Sequence, residues 1–293
     1  MDRLIRGVSN NARFVLVDTT QTVQEALNIH KSSPTATAAF GRLLTAATLM
    51  GATLKSGDIL TLRTNTDGIL GNMVATVDVE GVKGYLSNPE ADLPVNENGQ
   101  PNVAGIVGKG TLNVIKDMGL KEPYVGISNI ESGEIAYDIA YYYYTSEQTP
   151  TVIALGVDLA DEKTVRSAGG YMIQLLPGAE EWFITALEQK IQAIRSVTEL
   201  FKGGMSLERI LKLLFEDMND ENHEKLVEEY EILEEREIKY HCNCTKEKFY
   251  NGIITLGKDQ LNEIIEEQGD IEVQCHFCGK TYTFTKDDLK DVL

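Results

Sequence analysis

Apolar and polar residues alternate through much of the first 178 positions, and from Glu180 onward the pattern changes to a helical period. Ala12 to Asp18 reads as a strand. Thr19 or Thr20 can cap a short helix whose apolar stripe is Val23, Leu27 and His30. Pro34 to Leu54 is a 21-residue apolar stretch opened by Ser33-Pro34, with Arg42 as its single charge, five threonines and two glycines. An arginine in mid-segment costs about 2.5 kcal/mol or more in lipid. The small residues Ala36, Ala39, Gly41, Ala46, Ala47 and Gly51 suit close packing, so the stretch predicts a buried core helix and not a membrane span. Asp58 to Thr64, a turn at Asp67-Gly68, then Asn72 to Glu80 and Val82 to Ser87 predict an antiparallel meander. Asn88 to Pro101 reads as an exposed loop. Thr111 to Lys116 and Tyr124 to Ile130 read as a hairpin. Ser132-Gly133-Glu134 opens a helix through Tyr144, Thr151 to Leu159 and Tyr171 to Leu176 form a last strand pair, and Pro177-Gly178 closes the domain. The first domain, residues 1–178, is therefore α+β with an antiparallel sheet.

Beyond it, Trp182, Phe183, Leu187, Ile191, Ile194, Val197 and Phe201 recur at helical spacing up to Gly203-Gly204, and Ser206 caps a second helix carrying Leu207 to Met218. These apolar stripes suit core packing and an exposed apolar binding surface equally well. Glu216 to Lys239 holds eleven acidic and three basic residues in 24 positions, with only Leu226, Tyr230 and Leu233 as an apolar stripe. That predicts a solvated helix face at rest, in a segment whose like charges let it fold only while docked. Residues 179–239 thus read as a helical, acidic linker, and 240–293 as a small C-terminal domain.

Charge and length narrow the partners. A 293-residue chain suits one large core plus a smaller unit, and a net charge of -18 repels phosphate backbones and anionic lipid. Charges in Met1 to Gly7 stand where a secretion signal would be apolar, so a cytoplasmic location with reduced thiols is expected. Catalytic chemistry finds little support. Gly105 to Thr111 resembles a phosphate loop, but Val103 and Gly110 stand where a P-loop needs glycine and Ser or Thr, and no nucleophile elbow is present. His30, the only histidine before residue 223, reads as a satisfied core or interface residue, and Tyr141 to Tyr144 divide between core and surface.

The four cysteines change the picture. Cys242-Asn243-Cys244 and Cys275-His276-Phe277-Cys278 are separated by thirty residues, and two such pairs supply the four soft ligands that tetrahedral zinc prefers. Secreted disulfides lack a secretion signal to go with them. A redox-catalytic Cys275/Cys278 pair needs a helix start, where the alternating Thr281 to Thr285 predicts a strand. His241 and His276 flank a shell that the cysteines already complete. Tyr240 to Leu293 is 54 residues long, with ten acidic and six basic residues, which is too acidic for a nucleic-acid-binding zinc ribbon. A unit that small is marginal without a staple, and structural zinc contributes about 10–16 kcal/mol in finger peptides. Zinc-bound thiolates are also the form oxidants attack, so oxidation would eject the metal, unfold the unit and loosen the acidic segment beside it.

The Cys-x-Cys and Cys-x-x-Cys pairs resemble those of the redox-regulated 33 kDa chaperonin (heat shock protein 33) family. So do Val17-Asp18-Thr19-Thr20, Gly41 to Ala47, Gly108 to Leu112 and Tyr144 to Pro150. The resemblance implies a cytoplasmic, ATP-independent holdase, not an enzyme, that is inactive when reduced and holding one zinc. It further implies zinc ligation by Cys242, Cys244, Cys275 and Cys278, disulfides Cys242–Cys244 and Cys275–Cys278 on oxidation, and an active homodimer that binds unfolding proteins. A thiol-disulfide oxidoreductase and a zinc-ribbon adaptor are the alternatives.

Overall fold

In the computed structural model the chain forms two compact units, Met1–Tyr240 and His241–Leu293. The structure describes every residue except Asn98, Arg195, Asp217, 220–224, Val227, Asp291 and Leu293. The first unit contains strands β1 (Asp2–Ser9), β2 (Ala12–Asp18), β3 (Ile59–Thr66), β4 (Met73–Asp78), β5 (Gly81–Leu86), β6 (Gly110–Asp117), β7 (Tyr124–Ile130), β8 (Thr151–Asp161) and β9 (Thr164–Leu175). Two-residue strands β10 (Met218–Asn219) and β11 (Lys225–Leu226) pair with each other, and β12 is Tyr230–Ile238. Its helices are α1 (Thr20–His30), α2 (Pro34–Met50), α3 (Val103–Val107), α4 (Ile135–Tyr142), α5 (Glu181–Ala193), α6 (Val197–Lys202) and α7 (Leu207–Phe215). Two five-stranded sheets run in the orders β12-β1-β2-β9-β8 and β5-β4-β3-β6-β7, and every named pairing is antiparallel.

Helix α2 packs on both sheets. All its residues except Pro34 and Arg42 are buried, among them Phe40, Leu43, Leu44 and Leu49. The small residues do what their size permits, letting Leu4, Val15 and Val17 of one sheet and Leu60, Leu62 and Val77 of the other share one core with the helix. Its buried hydroxyls find local acceptors, Thr45 donating to the Gly41 carbonyl and Thr48 to that of Leu44. Arg42 reaches Glu134 at 2.6 Å, and Ser33 caps the helix by accepting from the Ala36 N–H.

The opposite face of the first sheet carries the alternate residues Ile5, Phe14, Leu16, Tyr171 and Ile173. Phe183, Leu187, Leu211, Leu214 and Phe215 of α5 and α7 lie over them. Where a single helix is expected from Trp182 to Phe201 the structure has two, α5 ending at Ala193 and α6 starting at Val197. Ser206 caps α7 as expected, accepting from the Arg209 N–H at 3.3 Å.

Two sequence expectations are corrected here, the threonine cap of α1 and the solvated acidic helix. The first residues are strand β1, lying between β2 and β12, and the buried Asp2 carboxylate accepts from the N–H groups of Gln21 and Thr22. Asp2 therefore caps α1 in place of a threonine, while Thr19 bonds Thr45 instead. The acidic run is not a solvated helix where it is described: Tyr230–Ile238 is an edge strand paired along the whole of β1. Asp217, 220–224 and Val227 of that run lie outside the described residues. The physical reason is that one unsatisfied edge of β1 offers a row of main-chain bonds that helical propensity alone cannot match. Of the four tyrosines, Tyr142 and Tyr143 are buried and Tyr144 is exposed. The phosphate-loop look-alike is a turn in which the Lys109 N–H donates to Asp67 and the Asp67 N–H to the Lys109 carbonyl.

Candidate metal centre

The second unit is built from α8 (Lys246–Ile253), α9 (Lys258–Gln268) and a hairpin of β13 (Ile271–Gln274) and β14 (Thr281–Phe284). Its core is Ile253, Leu261, Ile265, Ile271, Tyr282, Phe284 and Leu289, with Phe249 stacked at 5.1 Å on Tyr282. The alternation that predicted a strand at Thr281 is what turns Tyr282 and Phe284 inward.

Two local devices aim the thiols. Cys275 and Cys278 occupy the turn between β13 and β14, where the Cys275 N–H donates to the Lys280 carbonyl at 2.9 Å and the Gly279 N–H to the Cys275 carbonyl at 2.8 Å. Gly279 has φ +70, a backbone region that a side chain would penalise. On the other side, Thr245 caps α8 by accepting from the Lys248 N–H at 3.2 Å, and the Lys248 ammonium donates to the Asn243 carbonyl at 2.9 Å. Cys244 is thereby fixed just before a helix. The Cys275/Cys278 pair stands in a hairpin turn, which removes the helix start that a thioredoxin-like pair needs.

The result is four free thiols whose Sγ atoms all lie within 4.8 Å of one another. Cys242 and Cys275 are 3.7 Å apart and Cys244 and Cys278 3.4 Å. A zinc tetrathiolate with Zn–S bonds of about 2.3 Å has sulfur–sulfur edges of about 3.8 Å, so the spacing fits that ion and is far from the roughly 2.05 Å of a disulfide. Among the described residues the cluster contains the four cysteines and neither His241 nor His276.

Electrostatics point the same way. Burial pushes the Cys244 thiol up, but hydrogen bonds from the Tyr282 hydroxyl and the other three thiols outweigh it and bring the group down to about 7. Cys242 is pushed up to about 12, by burial first and then by its thiol neighbours, and burial also raises Cys278. Ionisation is therefore favoured at Cys244 and opposed at Cys242 and Cys278, an opposition that a bound cation would relieve. Tyr282 is the residue that sequence reasoning missed. Its hydroxyl lies 3.0 Å from the Cys244 carbonyl oxygen and 3.2 Å from the Cys244 sulfur, and its single proton serves the sulfur once the thiolate forms. Its inward place in the alternation was the signal available.

A family model described as Hsp33 protein matches residues 2–285. The chain belongs to the Hsp33 family. It is 42% identical over 297 residues to a 33 kDa chaperonin of Clostridium botulinum (strain Loch Maree / Type A3), covering 100% of this chain and 97% of that one. It is 43% identical over 298 residues to a 33 kDa chaperonin of Clostridium perfringens (strain SM101 / Type A), covering 100% and 91%. The crystal structure of a 33 kDa chaperonin (heat shock protein 33 homolog) from Thermotoga maritima superimposes with a TM-score of 0.87 at 34% identity, over 99% of this chain and 97% of that chain. The mixed α+β fold with antiparallel sheets and a C-terminal four-cysteine cluster is the Hsp33 fold. The chain is thus a redox-regulated chaperone of the Hsp33 family, a non-enzymatic class, and its cysteine cluster is the kind typical of the Hsp33 zinc site. Among the described residues no helix is long and apolar enough to cross a membrane.

Proposed function

We propose that the reduced chain holds one zinc ion through Cys242, Cys244, Cys275 and Cys278, and that oxidation of these thiols switches on an ATP-independent holdase. The observation that carries this is the convergence of four free thiols in a unit whose core, among the described residues, is seven buried side chains. When bound, zinc cross-links the four thiolates and supplies about 10–16 kcal/mol of the folding energy that so small a core lacks. Oxidation proceeds as two disulfides, Cys242–Cys244 and Cys275–Cys278. In each, peroxide converts one thiolate to a sulfenic acid and the neighbouring thiol displaces water from it, so one peroxide takes two electrons from each pair.

Loss of the cage unfolds residues 240–293 and loosens residues 179–239, leaving residues 1–178 as the chaperone core. The helices α5 and α7 now cover Phe14, Leu16, Tyr171 and Ile173, so their release exposes apolar surface to unfolding client proteins. The active form is a homodimer working in the cytoplasm. To test this, the reduced protein is treated with peroxide under mild heat while zinc release, helix content and suppression of a denatured client's aggregation are followed in one sample. Zinc loss with no gain in suppression would refute the switch.

A further inference from the structure

We propose that the outer edge of β1 is a strand-capturing surface masked by Tyr230–Ile238, and that once uncovered it takes an extended client segment carrying acidic residues among apolar ones. This rests on the loosening of residues 179–239 described above. The masking strand shows what the edge accepts. It lies antiparallel to β1 from Asp2↔Ile238 to Ser9↔Tyr230, with one register shift at Arg6/Gly7.

The two strands are embedded very differently. Leu4 and Ile5 of β1 are 0% exposed, whereas in β12 only Ile238 is buried, and Glu231, Ile232, Leu233, Glu235 and Glu237 are exposed. Main-chain bonds and ion pairs therefore hold most of β12, whose side chains reach the core only at its two ends, Tyr230 against Phe14 and Phe215 and the buried Ile238. Arg6 binds Glu234 at 2.6 Å, and Arg3 binds Glu235 at 3.1 Å and also Glu208. Four glutamates against one arginine make β12 self-repelling unless those cations stand beside it.

Main-chain pairing is indifferent to sequence, so any extended segment can replace β12, and Arg3 and Arg6 select for carboxylates. Gly7 keeps the edge open to close approach, since a Cβ there would sit 2.1 Å from the Glu231 carbonyl oxygen. When β12 leaves, β1 stays paired with β2 along its other side, so the edge persists as a preformed template.

The probe is a fluorescent peptide with the sequence of Tyr230–Ile238, titrated against full-length reduced and peroxide-oxidised protein. The oxidised form should bind it at least about tenfold more tightly, with affinity falling as salt rises. A peptide N-methylated at alternate amides should not bind, because strand pairing needs those donors. Arg3→Ser/Arg6→Ser should weaken binding by about tenfold or more. Should that variant fail to fold, the salt series and the methylated peptide carry the test on the parent chain. Unlabelled peptide should also reduce suppression of client aggregation.

Zinc release and suppression are read in the same samples. If either is missing, the switch itself has failed. If both occur but the peptide does not bind, or binds without competing with client, capture at β1 is overturned. Peptide binding that disappears as protein concentration rises would mean that a second copy fills the edge, which also overturns it.

Discussion

Tyr240→Phe isolates the anchor that ends the acidic strand. The Tyr240 hydroxyl donates to the Gly84 carbonyl at 2.8 Å and accepts from the Gly84 N–H at 3.2 Å, while the neighbouring Val82 N–H donates to the Lys239 carbonyl at 3.1 Å. Residues 239–240 are thus fastened to β5, two positions before Cys242. Removing one oxygen leaves the ring in place and takes away both bonds, together with the 3.4 Å contact to His30 Nε2. The Gly84 carbonyl keeps His30 Nε2 at 3.1 Å, so its cost is small, whereas the Gly84 N–H loses the hydroxyl. One lost bond at about 1 kcal/mol plus partial desolvation of a buried donor gives about 2 kcal/mol, or about thirtyfold in the local opening equilibrium. Hydrogen exchange in the reduced, zinc-loaded protein reads this directly. The amides of Val82 and Gly84 should exchange about thirtyfold faster, and amides in β2 and β9 should not change. Unaltered exchange at both positions, with circular dichroism showing the same fold, would refute the assignment of Tyr240 as an anchor.

The same contact predicts a pH dependence. Burial holds His30 below its ordinary 6.5, so the unfolded chain binds its proton first, and the stability held above pH 6.5 is lost as pH falls through the folded value; the melting temperature should drop more steeply below pH 6.5 in the parent than in His30→Gln. Gly279→Ala forces a side chain onto φ +70 at the thiol turn and should cost about 1–2 kcal/mol, seen as roughly tenfold weaker zinc retention in competition with a chromophoric chelator. Burial raises the Asp138 carboxyl, whose Oδ1 accepts from Glu131, Ser132 N–H and Ser132 Oγ while Oδ2 is buried without a partner. Because its charge is resisted above the folded value, Asp138→Asn should stabilise by about 1 kcal/mol in melts at pH 7.5, with the gain shrinking as pH falls toward 5.

The four-cysteine cluster was foreshadowed in the sequence because two short-range cysteine pairs at this spacing are the donor set that tetrahedral zinc prefers. A hairpin turn and a capped helix, both local, place each pair, and the packing of Phe249 on Tyr282 joins them across thirty residues. Local patterning likewise determined the meander, the β6/β7 hairpin, the Ser33-capped helix α2 and the Thr281 strand, since each depends on neighbours within a few positions. What only the tertiary structure decided is the fate of segments whose partners are remote. Asp2 caps a helix some twenty residues on, Glu231 to Glu237 become a strand because β1 has an open edge more than two hundred residues earlier, and Tyr240 finds Gly84 and His30. A charged stretch satisfied by distant main chain carries no local periodicity of its own. Its conformation is therefore set by whichever unpaired edge the rest of the fold presents.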